Sequence, residues 1–222
     1  MTDAIHYLVQ KINLAWADNK VASVLFLDAE GAFPNTVTQK LLQNLKKRRI
    51  QEIYINFVRL LLTNRRTRIK FDDFISDSID ITNGIGQGDP LSMLLYIIYN
   101  ADLLDITDDD QLEAALGYVD DIALVAVGNN FDETTTRLQN LMTKQDGGLD
   151  WSVSHNSRFE INKSAVMHLS RLSRVDPEQV DCRIPLPRPP LIVNNQTITE
   201  VQTYKYLGVI IDTQLRWKKQ AQ

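Results

Sequence analysis

Cysteine is nearly absent from this 222-residue chain: Cys182 stands alone, which excludes a disulfide framework and a Cys/His zinc site. Long apolar runs are missing too, since none approaches the ~18 residues of a membrane span. The longest, "PLSMLLYIIYNADLL", is interrupted by Ser92 and Asn100. The opening "MTDAIHYLVQ" lacks the basic start and apolar centre of a signal peptide. Positive charge is not in excess: 24 Lys and Arg face 28 Asp and Glu, for a net charge of −4. That balance weighs against a nucleic-acid binder, which is more often basic. There is no internal repeat and no low-complexity tract. These absences lead to the expectation of a soluble, intracellular protein with no membrane partner.

What is present is enough apolar material for a real core, 44% of residues in one large domain or a domain with an appendage. Ile5, Leu8, Val9, Ile12 and Trp16 repeat at helical spacing. "VASVLFLD" (21–28) reads as a buried strand ending on Asp28. Asn35 or Thr36 is placed to cap a helix that carries Val37, Leu41 and Leu45. A further helix is expected from Glu52 to Leu62, and "NGIGQGDP" is a glycine-rich loop before a helix starting near Pro90. "LGYVDDIALVAV" reads as two strands that reverse at Asp120–Asp121, followed by a helix from Asp132 toward Lys144. "RIPLPRPP" (183–190) is expected to be an extended linker. The Asn-Asn of "PLIVNNQTITE" marks a hairpin, and "YKYLGVIID" a strand.

Two basic clusters, "KKRR" at 46–49 and "RRTRIK" at 65–70, hold eight of the 24 basic residues. Alternation in the second would put Arg66, Arg68 and Lys70 on one strand face, a stripe able to follow a phosphate backbone. "DITDDDQLE" (105–113) lacks the central Gly and final Glu of a calcium loop and reads as an exposed acidic turn.

The chemistry is concentrated in carboxylates. Asp120 and Asp121 stand inside an apolar run where an unpaired charge is costly. If the strand ending at Asp28 lies beside them, three carboxylates meet at one sheet edge and repel unless divalent cations neutralise them. Mg²⁺ is held by one or two carboxylates plus substrate phosphates, and paired ions serve phosphoryl transfer. "GIGQGDP" matches neither the dinucleotide fingerprint nor the phosphate loop, although its glycines allow a ligand to approach closely.

"FLDAEGAF", "GIGQGDPLSMLLYIIYNADLL", "YVDD", "NKSAVMHLS" and "YKYLGVIID" follow one another in the order found in reverse transcriptases. The chain most resembles those of non-long-terminal-repeat (LINE-type) retrotransposons, and the motifs run from about Val24 to Asp212. The resemblance implies an α+β fold, a palm-type antiparallel sheet with helices packed on one face and with fingers and thumb largely absent. It implies residues 1–174 as palm with partial fingers, 175–190 as a proline-rich linker, and 191–222 as a primer-grip-like hairpin and start of thumb. Asp28 and Asp120 would be the main metal ligands, Asp121 would complete the cluster, and the Ala29 carbonyl would touch a metal. Two Mg²⁺ ions, or Mn²⁺, are the implied cofactors. Phe33 matches the gate that rejects a 2′-hydroxyl. Gln87 and Gly88 match the loop at the incoming nucleotide, Lys163 a lysine near the triphosphate, and Tyr118 the floor under the primer terminus. Leu207 and Gly208 match the primer grip.

Pro34 and Gly86 depart from residues common in the family, and neither removes a metal ligand. The implied activity is RNA-directed DNA polymerisation on an RNA template and DNA primer with deoxynucleotide substrates. Remaining fingers, thumb and endonuclease regions of a longer polyprotein are the expected protein partners. Because only 27 residues precede Asp28, the chain is expected to fold but to polymerise weakly alone. The alternative is a truncated, inactive remnant that at most binds nucleic acid. An RNA-directed RNA polymerase is disfavoured by Phe33.

Overall fold

The computed structural model describes residues 2–108, 111–177 and 181–217. Helix α1 (Thr2–Ala17) leads into strand β1 (Val21–Asp28), whose residues are apolar on both sides and buried almost throughout. Helices α2 (Thr38–Lys47) and α3 (Glu52–Leu62) follow. Four short strands come next: β2 (Arg65–Thr67), β3 (Lys70–Phe71), β4 (Phe74–Ile75) and β5 (Ile79–Ile81). Helix α4 (Pro90–Leu104) then precedes the hairpin of β6 (Glu113–Tyr118) and β7 (Asp121–Gly128). Helices α5 (Phe131–Thr143) and α6 (Gly148–Ser154) lead to β8 (Ala165–Leu169). The rest is strand: β9 (Ser173–Val175), β10 (Arg183–Pro185), β11 (Ile192–Val193), β12 (Gln196–Thr197), β13 (Thr199–Glu200), β14 (Thr203–Tyr206) and β15 (Val209–Asp212).

The central sheet has the order β13-β8-β1-β7-β6. All of its pairings are antiparallel except that of β13 with β8. Period-two alternation along β1 divides two cores. Ala22, Val24 and Phe26 face α1 and the hairpin β14–β15, together with Leu8, Ile12, Trp16, Tyr206 and Ile211. Leu25 and Leu27 face the other way, onto Leu103 of α4, Leu138 of α5 and Trp151 of α6. Burying a side chain such as Phe26 stabilises the fold by roughly 1.5–3 kcal/mol. A third apolar cluster joins α2, α3 and α4 through Leu41, Val58, Tyr96 and Tyr99. No helix among the described residues is long and apolar enough to cross a membrane.

Several expectations give way here. Helices do not cover one face only: α1 occupies the second face, because its stripe of Leu8, Ile12 and Trp16 finds the even-numbered side chains of β1. Neither Asn35 nor Thr36 caps α2. Asn35 Nδ2 instead donates to Glu30 O at 3.0 Å and Thr36 Oγ1 to Ala32 O at 3.0 Å, closing the preceding turns, so α2 starts after Val37. "RRTRIK" is not one strand but parts of two separate ribbons, and Arg66 is paired with Asp80 at 2.9 Å, so the basic stripe does not form. Within the expected linker, Arg183–Pro185 pairs with Ser173–Val175. Residues after it do not stand apart either: Leu191, Val193 and Ile198 are buried in the core under α5 and α6, and β13 extends the central sheet. Residues 178–180 of the linker, residues 109 and 110 of the acidic turn and residues 218–222 lie outside the described residues.

Candidate active site

Register brings the acids together. In the β1–β7 ladder Asp28 is the direct partner of Asp121, and in the β6–β7 ladder Asp121 is also the partner of Tyr118. Val119 and Asp120 are the two residues of the intervening turn, so Asp120 sits just past the end of the sheet. Val119 adopts φ 59°, a left-handed conformation that a β-branched residue resists. Such strain, of order 1–3 kcal/mol, persists only where the surroundings over-determine it. Here Asn100 Nδ2 of α4 donates to the Val119 carbonyl, and the Val119 side chain packs on the α2–α3–α4 cluster.

Beyond Asp28 the chain runs antiparallel to residues 158–160. Glu160 N–H donates to Asp28 O at 2.9 Å, Glu30 N–H donates to Arg158 O at 2.8 Å, and buried Ala29 bridges Phe159. This pairing delivers Lys163 to the acids. Its Nζ lies 2.6 Å from Glu160 and 3.7 Å from Asp28, and its proton affinity is raised by Glu160 first and Asp28 second.

Phe33 and the glycine loop are laid side by side by backbone bonds. Ile85 N–H donates to Phe33 O at 2.9 Å and Gly84 N–H to Thr36 O at 2.7 Å. Gly84 has φ 86°, and a Cβ there would stand 2.7 Å from Pro34 O, so only glycine permits this approach. The Phe33 ring is half-buried and stacks on Tyr96 at 5.3 Å. Gln87 and Gly88 are exposed at the loop tip, just before Asp89 caps α4 by accepting from Leu91 N–H at 2.9 Å.

The hairpin β14–β15 reaches the same end of the sheet. Tyr204 stacks on Phe26 at 4.1 Å, two residues before Asp28. Leu207 and Gly208, at φ 49° and 79°, form its turn. Leu207 is buried in the core and Gly208 is exposed, so this turn presents backbone rather than a leucine side chain.

The electrostatics show the acids acting on one another. Asp121 is pushed above the usual carboxylate range by burial, then by the charges of Asp120 and Asp28. Burial and the same acids raise Tyr204, through Asp121 and Asp28. Tyr206 is raised by burial, then by Asp121, and Tyr96 by burial, then by Asp120. These three tyrosines were not anticipated from sequence. The alternation of Tyr204 and Tyr206 on one strand face was the signal available for two of them.

Among the described residues, no three Asp, Glu, His or Cys side chains form a ready-made metal cage. The donors nevertheless suit a hard divalent cation: they are all oxygen, their charges repel, and Mg²⁺ binds by one or two carboxylates with the remaining positions left to phosphates and water.

The sheet thus ends in paired carboxylates, and Phe33 and the glycine loop are bonded to each other through backbone. The chain belongs to the reverse transcriptase (RNA-dependent DNA polymerase) family, whose model matches residues 2–211. Its relatives come from non-long-terminal-repeat elements. It is 24% identical over 221 residues to the RNA-directed DNA polymerase from mobile element jockey of Drosophila melanogaster, covering 98% of this chain and 22% of that protein. It is 23% identical over 204 residues to the Pol polyprotein of the type-1 retrotransposable element R2 of Popillia japonica, covering 89% of this chain and 32% of that protein. The chain thus spans about a fifth to a third of the length of these relatives. The apo telomerase of Candida tropicalis, truncated from its C-terminal domain, has a similar fold: TM-score 0.64 at 10% identity, covering 96% of this chain and 39% of that one. Reverse transcriptases work with divalent metal ions, as this donor set allows.

Proposed function

We propose that this chain is the catalytic core of an RNA-directed DNA polymerase, adding deoxynucleotides to a DNA primer on an RNA template. The observation that carries this reading is the register that sets Asp28 against Asp121, next to Asp120, within a chain of this family. The names of the jockey relatives support the activity, and the telomerase likeness supports the fold alone. On this reading the central sheet with its acidic hairpin is a polymerase palm.

Asp28, Asp120, Asp121 and the Ala29 carbonyl would hold two Mg²⁺ ions, with Mn²⁺ able to replace them. When bound, these ions supply activation of the primer 3′-hydroxyl and neutralisation of charge on the leaving pyrophosphate. The protein's own work is positioning. Phe33, braced on Tyr96, presents a flat ring where a 2′-hydroxyl would need room. The loop of Gln87 and Gly88 is tied to the Phe33 carbonyl through Ile85, so nucleotide and gate are set by one backbone unit. Lys163 is largely exposed and paired with Glu160 and Asp28, and its flexible stem lets the ammonium turn toward a triphosphate. Tyr118, opposite Asp121, and Gly208, at the hairpin turn, would flank the primer end.

The test is primer extension by the 222-residue chain on an RNA template with Mg²⁺. Asp120→Asn is expected to lower the rate about a hundredfold or more, because metal-borne charge stabilisation is worth several kcal/mol. Its circular dichroism should match the parent. Equal rates in parent and variant sink the assignment. Phe33→Ala should relax discrimination against ribonucleotides on the order of 10- to 200-fold, as expected for a pocket that rejects one small group. Unchanged sugar selection removes Phe33 from the gate role. An inactive remnant would show no metal-dependent nucleotide binding by calorimetry.

A further inference from the structure

A cavity of about 760 Å³ lies at the end of the central sheet opposite the carboxylates. Its walls carry Arg171, Arg183, Arg188 and Arg216, with the hydroxyls of Ser170 and Ser173. No carboxylate lines it among the described residues. The four arginines come from three separate stretches: the chain after β8, the β10 strand with the segment beyond it, and the turn after β15. A run of neighbouring charges is usually a solvated face. Four cations gathered from distant chain positions around one concavity, in a protein of net charge −4, point to an anion.

Each arginine is placed by identifiable contacts. Arg171 lies over the Trp16 ring at 4.3 Å. Arg183 is held in the β9–β10 ribbon opposite Val175. Arg188 pairs with Glu200 at 2.7 Å. The Asp212 carboxylate accepts from the backbone N–H groups of Gln214, Arg216 and Trp217 at 2.9 Å each, which fixes the turn bearing Arg216. Neither Arg183 nor Arg216 has a carboxylate within ion-pair distance among the described residues.

We propose that this cavity is a second phosphate site, which takes the phosphodiester backbone of a nucleic-acid strand bound by the protein. The lining favours backbone over base. Arginine forks and serine hydroxyls suit phosphate oxygens. Phe131, the aromatic that lines the cavity among the described residues, is buried and offers no face for a base to stack on. Distance separates it from the acidic site. Leu169, next to the cavity, pairs with Ala22, whereas Asp28 ends the same strand six residues on, about 20 Å away at ~3.3 Å per residue. That is the length of about six nucleotides at ~3.4 Å each, so one strand can reach both sites. The inference rests on the polymerase reading only for its choice of ligand.

The experiment is fluorescence anisotropy of a labelled 12-nucleotide single-stranded RNA with the 222-residue chain, in EDTA, from 50 to 300 mM NaCl. Arg183→Gln with Arg216→Gln should weaken binding about tenfold at 100 mM salt. It should also flatten the slope of log K against log salt by about 1.4, that is ~0.7 for each lost phosphate contact on a single strand. Both side chains are exposed, and an unchanged melting temperature verifies the fold. Arg183→Lys with Arg216→Lys should keep most of the slope. An unchanged slope in the glutamine variant, or no binding by the parent chain, overturns the proposal. Loss of the slope difference when 5 mM inorganic phosphate replaces an equal ionic strength of NaCl overturns the backbone assignment in favour of free phosphate. Binding in EDTA does not need the acids: loss of primer extension with an intact slope difference would sink the catalytic reading alone.

Discussion

If Asp28 and Asp121 are held together for a cation, the metal-free protein is more stable without one of their charges. In the ladder the two residues are direct partners, and Asp121 is raised by burial and by the fields of Asp120 and Asp28. Like charges directly opposite across two strands cost roughly 0.2–1 kcal/mol. Both carboxylates are partly covered yet keep surface in water, so solvent screens the pair and about 0.5 kcal/mol is expected. For a protein of this size 1 kcal/mol moves Tm by about 2–4 °C, so Asp121→Asn should melt about 1–2 °C higher than the parent in EDTA at pH 7. The pH dependence has a definite sign. A carboxyl whose folded pKa is raised favours the folded state below its unfolded pKa and loses that advantage as pH rises through the folded value. The variant's gain should therefore vanish below about pH 3.9, where the acid is neutral in both states, and be complete at neutral pH. Adding 10 mM Mg²⁺ should reverse the order, because the parent gains more from the cation. Differential scanning fluorimetry at several pH values, with and without Mg²⁺, measures all of this. A variant less stable than the parent in EDTA, or equal responses to Mg²⁺, would refute the reasoning.

Two further outcomes concern the scaffold. Burial first of all lowers His155 and His168 to about 4, so both are neutral in the fold. An unfolded histidine titrates near 6.5, so stability is full above that pH and falls as pH drops toward 4, by on the order of 3 kcal/mol per residue. Urea midpoints between pH 7 and pH 4 check it, and a flat profile would contradict the burial argument. Gly84→Ala forces a side chain into a left-handed conformation against Pro34 O and should cost about 2 kcal/mol, lowering Tm by roughly 4–8 °C. Its KM for deoxynucleotide should rise as the Gln87 loop loosens from Phe33. An unshifted Tm would show that the two loops are not held as described.

The parts of the fold that local chemistry dictates were legible in the sequence. Helix α3 runs over Glu52–Leu62 as its spacing indicates, and α4 begins at Pro90 behind the Asp89 cap. Asn194 and Asn195, at φ 50° and 59°, make the hairpin turn that asparagines favour. The meeting of Asp28 with Asp121 was readable because a charge in an apolar strand stands out, and the ladder pairs the two. The misreadings arose where a distant partner decides. Asn35 and Thr36 have good capping chemistry, but the loop between Asp28 and α2 takes their side chains first. Arg66 alternates correctly for a stripe, but Asp80 lies across from it. Nothing local to Thr199–Glu200 signals that it joins the central sheet in parallel with β8. The three tyrosines near the acids are ordinary core residues by composition, and only the fold shows what they face.

Strand β1 lies between β7 and β8, both of which leave the ribosome long after it. A partly synthesised chain holds Asp28 with nothing to pair against, and loop closure over so many residues makes the sheet slow to assemble. The acidic centre is therefore completed only once β7 pairs with β1. Premature forms of this polypeptide lack the paired acids, and until then β1 is an open apolar template for aggregation.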